Sequence, residues 1–114
     1  MGFLDKLLKK QEEIATKQVL DRLTALHSDL SPTLGEAVCG EYPEWTHQAI
    51  AISLPETSTV FRFHVCKGYW LIGSGAVATR FAPAQQRGNP REAIDHYANT
   101  IAAKARQLQR LERP

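Results

Sequence analysis

The stretch from Thr46 to Phe81 constrains the fold more than any other part of the sequence. Three runs rich in β-branched, aromatic or alternating residues, Thr46 to Leu54, Thr59 to Cys66 and Tyr69 to about Phe81, are joined by segments short enough to fix how they pair. If Pro55-Glu56-Thr57-Ser58 closes the first hairpin, Leu54 meets Thr59, Ile52 meets Phe61 and Ile50 meets Phe63. If Lys67-Gly68 is a two-residue turn, Cys66 faces Tyr69, Val65 faces Trp70 and Phe63 faces Ile72. The two counts are independent, and both put Phe63 on the same side. Side chains alternate across a strand, so one face carries Ile50, Ile52, Leu54, Phe61, Phe63, Val65, Trp70 and Ile72. That face needs a cover.

Two amphipathic helices are available to supply it. From Phe3 to Leu30 helix formers dominate, and Val19, Leu23, Leu26 and Leu30 recur on one helical stripe until Ser31-Pro32 ends the helix. Between Leu8 and Ile14 that stripe is interrupted by charged residues, so the first two turns are expected to project beyond the domain. A second helix is expected from Asn89 as N-cap, with Pro90 at its first position and Glu92 at its third, to about Leu111. Ile94, Ala98, Ile101, Ala105 and Leu108 line one side of it. Residues 32–45, with Gly35, Gly40 and Pro43, read as a connector with one helical turn near Leu34 to Val38. The expected architecture is therefore α+β, a three-stranded antiparallel meander with N- and C-terminal helices on one face (α-β-β-β-α). At 114 residues it is a single domain, 1–114.

The opposite sheet face carries His47, Ala49, Ala51 and Ser53, then Arg62, His64 and Cys66, then Tyr69 and Leu71. No helix is left to cover it, so Arg62, His64, Tyr69 and Leu71 are expected to form an open surface for a protein partner or a second copy of the chain.

Chemical motifs fare less well. Gly73-Ser74-Gly75-Ala76-Val77-Ala78 matches the dinucleotide pattern, but Thr79-Arg80-Phe81 continues strand-like where that motif requires a helix. His47, His64 and Cys66 fall near one another in the derived register and are ligand types for zinc, although their spacing matches no recognised metal motif. Ordinary histidines and a small apolar cysteine are the preferred reading, with no metal and no cofactor. A cysteine nucleophile would need a histidine base held by a third group, and no Asp, Asn or Glu shares that face. Catalytic residues are accordingly not expected, and the chain does not read as an enzyme.

Arg87, Arg91 and Lys104, around the last helix, are the alternative surface, one for nucleic-acid phosphates. The α-β-β-β-α order is shared with double-stranded-RNA-binding domains, but their lysine cluster at the start of the last helix is replaced here by Asn89-Pro90-Arg91-Glu92. A net charge of only +2 does not demand such a partner. Phe3 to Leu8 with Lys6, Lys9 and Lys10 has the makings of a membrane-surface helix, yet Asp5, Glu12 and Glu13 dilute its charge, so packing is expected there and no membrane contact. Without an apolar run of about 20 residues or a signal-peptide pattern, a cytoplasmic protein with Cys39 and Cys66 as reduced thiols is expected.

The segment Arg87-Gly88-Asn89-Pro90-Arg91-Glu92-Ala93-Ile94-Asp95-His96-Tyr97-Ala98 resembles the helix start G-x-P-x-E-A-I-x-x-Y-A of small accessory proteins of phages and other mobile elements. The resemblance implies a bacterial or phage setting and a protein that binds, blocks or bridges a larger partner. A non-enzymatic binding module is the expected function.

Overall fold

The computed structural model describes residues 2–39, 42–54, 59–66, 68–73, 78–83 and 90–112. It is an α+β fold in the order α1 (Phe3–Leu26), a short 3-10 turn (Ser28–Leu30), β1 (Thr33–Cys39), β2 (Tyr42–Ser53), β3 (Val60–Cys66), β4 (Tyr69–Gly73), β5 (Ala78–Pro83) and α2 (Pro90–Glu112). The sheet is antiparallel and runs β1-β2-β3-β4-β5 in chain order. It has five strands where three were expected.

Both central registers are as read from the sequence. Ile50 pairs with Phe63 and Ile52 with Phe61, and the Leu54 amide donates to the Thr59 carbonyl at 3.0 Å. Phe63 pairs with Ile72, Val65 with Trp70 and Cys66 with Tyr69. Gly68 follows β3 at φ 79°, the left-handed conformation that a tight hairpin needs and that glycine adopts without a side-chain clash. Lys67, the first residue of that turn, lies outside the described residues, as do Pro55 to Ser58.

The extra strands arise at the two edges. Thr33–Cys39, expected as a connector, pairs along β2 from Thr33 opposite Ala51 to Val38 opposite Thr46, and the register shifts between Val38 and Cys39. The long third run divides, because β5 turns back onto β4 with Ala78 opposite Gly73. Between Trp70 and Leu71 the β4–β5 register shifts, Trp70 lying opposite Ala82 and Leu71 opposite Arg80. Phe81 is the unpaired residue of this bulge, and its ring meets Phe63 edge-on at 5.8 Å. The irregularity thus adds an aromatic side chain to the core.

Val19, Leu20 and Leu23 of α1 and Tyr97, Ala98, Ile101, Ala102 and Ala105 of α2 pack in one cluster with the eight apolar residues assigned to the inner sheet face. α1 stops at Leu26, short of the expected Leu30. The His27 amide donates to the Leu23 carbonyl, and Ser31 adopts φ 48° before Pro32. The helices are tied at their surfaces by Arg22 with Asp95, and α2 is tied to the 3-10 turn by Arg106, which donates to both oxygens of Asp29 at 2.7 and 3.2 Å. Within the core, the Tyr97 hydroxyl and the Trp70 indole nitrogen are buried without a hydrogen-bond partner among the described residues. Tyr97→Phe is therefore expected to leave stability unchanged within about 0.5 kcal/mol or to raise it, since no bond is lost and a desolvated hydroxyl is removed. Urea unfolding followed by circular dichroism measures this, and a clear loss would mean that the hydroxyl is partnered.

Candidate functional site

The outer sheet face is not the uniformly open surface expected. Adjacent strands lie about 4.8 Å apart, so strands two apart in a flat sheet keep about 9.6 Å between them. Here Cα atoms of β1 and β3 come within 8 Å of one another, so the sheet folds across β2. At this end His47, Ala49, His64 and Cys66 are all buried. His64, at 1% exposure, is unavailable to a partner, although the alternation does place it on the same face as Arg62, Tyr69 and Leu71.

His47 and His64 do come together, as the register indicated, with ring centroids 6.1 Å apart. Neither imidazole has a hydrogen bond of good geometry among the described residues. Burial holds the His64 imidazole at a pKa of about 4, with the neighbouring His47 acting in the same direction. His47 is also lowered, first by burial and then by the positive charge of Lys9 in α1, while Glu13 and the Val65 backbone pull the other way. The third member of the suspected ligand set is not a thiol. Cys66 is disulfide-bonded, which corrects the expectation of reduced cysteines. Cys39, the chain's other cysteine, is the last residue of β1. Among the described residues no three His, Cys, Asp or Glu side chains group as metal ligands. The pair is chemically two buried imidazoles, neither of them hydrogen-bonded to a carboxylate among the described residues.

Beyond this buried end the face is a smaller patch. Tyr69 is 40% exposed, and the Arg80 guanidinium lies over its ring, 4.6 Å from the centroid. Arg62 and Leu71 are half-buried beside them, Leu71 opposite Arg80 and Arg62 opposite Gly73. The sequence reading named three of these four residues and missed Arg80. Only the pairing of β5 back onto β4 brings it over Tyr69.

The alternative set is described only for the two residues on α2. Arg91 is exposed, Lys104 is half-buried, and Arg87 lies outside the described residues. Arg106, on the same helix, is engaged with Asp29 and His27. His27 also bonds the Asn99 side chain at 2.8 Å, and His96 is exposed. Gly73 ends β4 and Thr79 lies in β5, so strand follows the glycine-rich string where a dinucleotide site would need a helix. Among the described residues no helix is long and apolar enough to cross a membrane. Comparison with protein-family models, with curated proteins and with solved structures gave no match.

Proposed function

We propose that this chain is a non-enzymatic binding module that engages a protein partner, or a second copy of itself, through the sheet patch of Arg62, Tyr69, Leu71 and Arg80. The observation that supports this reading is the Arg80 guanidinium stacked on a partly exposed Tyr69. Tyrosine and arginine supply much of the binding energy at protein interfaces, because each buries a large area while keeping a polar group that can be satisfied across the contact. A stacked pair already holds both side chains close to one geometry, which lowers the entropy lost on binding. The blocking or bridging role implied by the resemblance of the α2 start to mobile-element accessory proteins is an activity such a patch can serve. Nucleic-acid binding has no comparable observation behind it. As to compartment, a disulfide at Cys66 favours an oxidising environment over the cytoplasm expected from sequence.

Arg62→Glu combined with Tyr69→Ala is expected to abolish association while leaving the helical circular-dichroism signal intact. Sedimentation velocity reads self-association, and affinity capture with mass spectrometry from the native host reads a foreign partner. Association that survives in the double variant would remove this patch from consideration.

A further inference from the structure

The N-terminal half of α1 carries an apolar strip that does not pack on the core. Phe3, Leu4, Leu7, Leu8 and Ile14 are between 43% (Leu7) and 80% (Phe3) exposed. Their arrangement follows from helical geometry. The inward stripe of α1 is Thr16, Val19, Leu20 and Leu23, all buried. At about 100° per residue, Phe3, Leu7 and Ile14 fall on the far side of the helix from that stripe, Leu4 lies along one margin, and Leu8 lies further round, nearer the inward stripe. Lys6, Lys10 and Lys17 repeat the spacing of Phe3, Leu7 and Ile14 three residues later, so they form a parallel stripe about 60° around the helix. All three lysines are exposed.

The acidic residues that dilute this segment in the sequence are distributed differently in space. Glu12 and Glu13 are half-buried, and Glu13 is held by Lys9 at 3.1 Å. Apart from Asp5, whose side chain lies outside the described residues, every exposed charged side chain from residue 2 to 18 is a lysine. We infer that this outer face of α1 docks on an anionic lipid surface, with Phe3, Leu4, Leu7, Leu8 and Ile14 entering the interface and Lys6, Lys10 and Lys17 reaching the head groups. The sheet and α2 then ride on the water side, because Phe3, Leu7 and Ile14 point away from the stripe that packs on the core.

A second copy of the chain fits this face less well. Two such faces in contact would bring six lysines to one seam, with Asp21 of each copy, exposed at the far end of the strip seven residues after Ile14, as the exposed acid described on that side. A lipid surface of negative charge answers both features at once, since lysine stems lie along apolar surface while their ammonium groups stay in the polar layer. This inference uses a different element from the sheet patch, and either can fail alone.

The test is co-sedimentation of the full chain with vesicles of phosphatidylcholine, alone or mixed with phosphatidylglycerol, at low and high salt. Binding is expected to the mixed vesicles only and to weaken as salt rises. Leu7→Glu with Ile14→Glu is expected to reduce partitioning by at least about tenfold, and Lys6→Gln with Lys10→Gln and Lys17→Gln to erase the preference for the anionic lipid. All five positions are exposed, so circular dichroism should show each variant folded. Failure to pellet with anionic vesicles at low salt would overturn the inference, as would equal pelleting with both compositions. A dimer broken by Leu7→Glu, in a chain that ignores vesicles, would assign the strip to self-association instead.

Discussion

Trp70→Ala is expected to destabilise the fold by about 3 to 5 kcal/mol, the largest effect of any single truncation proposed here. Trp70 is 1% exposed and sits where the central strand pair meets α2, its ring 5.8 Å from that of Tyr97. Removing it forfeits the transfer energy of the indole and leaves a cavity bounded by Val65, its strand partner, and Tyr97, both held by elements that cannot easily collapse inward. A domain of this size has only about 5 to 15 kcal/mol of total stability, so the variant should be close to unfolding at ordinary temperature. Trp70→Phe separates packing from polarity. It keeps an aromatic ring, and since the indole nitrogen has no partner among the described residues, it gives up no hydrogen bond. Urea midpoints followed by far-ultraviolet circular dichroism should therefore fall in the order wild type, Trp70→Phe, Trp70→Ala. Leu4→Ala, on the exposed strip of α1, is expected to change stability by no more than about 0.5 kcal/mol. Equal losses for Leu4→Ala and Trp70→Ala would contradict the separation of core from outer face.

The contrast between Trp70 and Leu4 shows what the sequence could and could not reveal. Trp70 was legible as core because two turn lengths, counted separately, gave the same inward set, and a register error of one residue would have inverted it. β1 was not legible. Gly35, Glu36 and Ala37 have little intrinsic strand preference, and the segment is a strand because β2 pairs with it. Gly35 suits that pairing physically, since a Cβ there would lie 3.2 Å from the Ala51 Cβ. β5 was hidden differently: alternation from Tyr69 to Phe81 is the same whether a strand continues or turns back on itself. The site followed from these two strands. Alternation correctly placed His64 and Tyr69 on one face, but what covers a face is a tertiary fact: His64 is 1% exposed where Tyr69 is 40% exposed. Similarly, the sequence listed the charges of α1 in order, and only the packed helix shows that Glu12 and Glu13 turn partly inward while Lys6, Lys10 and Lys17 do not.

Acidification from neutral pH is expected to destabilise the fold through the His47–His64 pair. An unfolded histidine titrates near pH 6.5, whereas buried His64 takes up its proton only at about 4. Between those values the unfolded chain binds a proton that the folded chain refuses, so stability falls as pH falls through the window and is fully retained above it. A displacement of this size corresponds to about 3 kcal/mol for His64, and His47, shifted in the same direction, adds to the loss. The charges that bear on the pair do not reverse the sign: each imidazolium would repel the other, and Lys9 opposes protonation of His47 more than Glu13 favours it. Asp29, whose carboxyl the Arg106 guanidinium holds below the usual range, acts in the same direction but in a lower window, its contribution present above its ordinary pKa and lost only below it. Urea midpoints measured from neutral pH down to about 4 should thus decline steadily in the wild type. His64→Leu, which fills similar space with no group to titrate, should flatten much of that decline and should not cost stability at neutral pH, because the ring it replaces has no hydrogen bond among the described residues. A decline of the same depth in His64→Leu would place the acid sensitivity elsewhere in the molecule, and a flat wild-type profile would mean that water or a partner reaches the imidazoles.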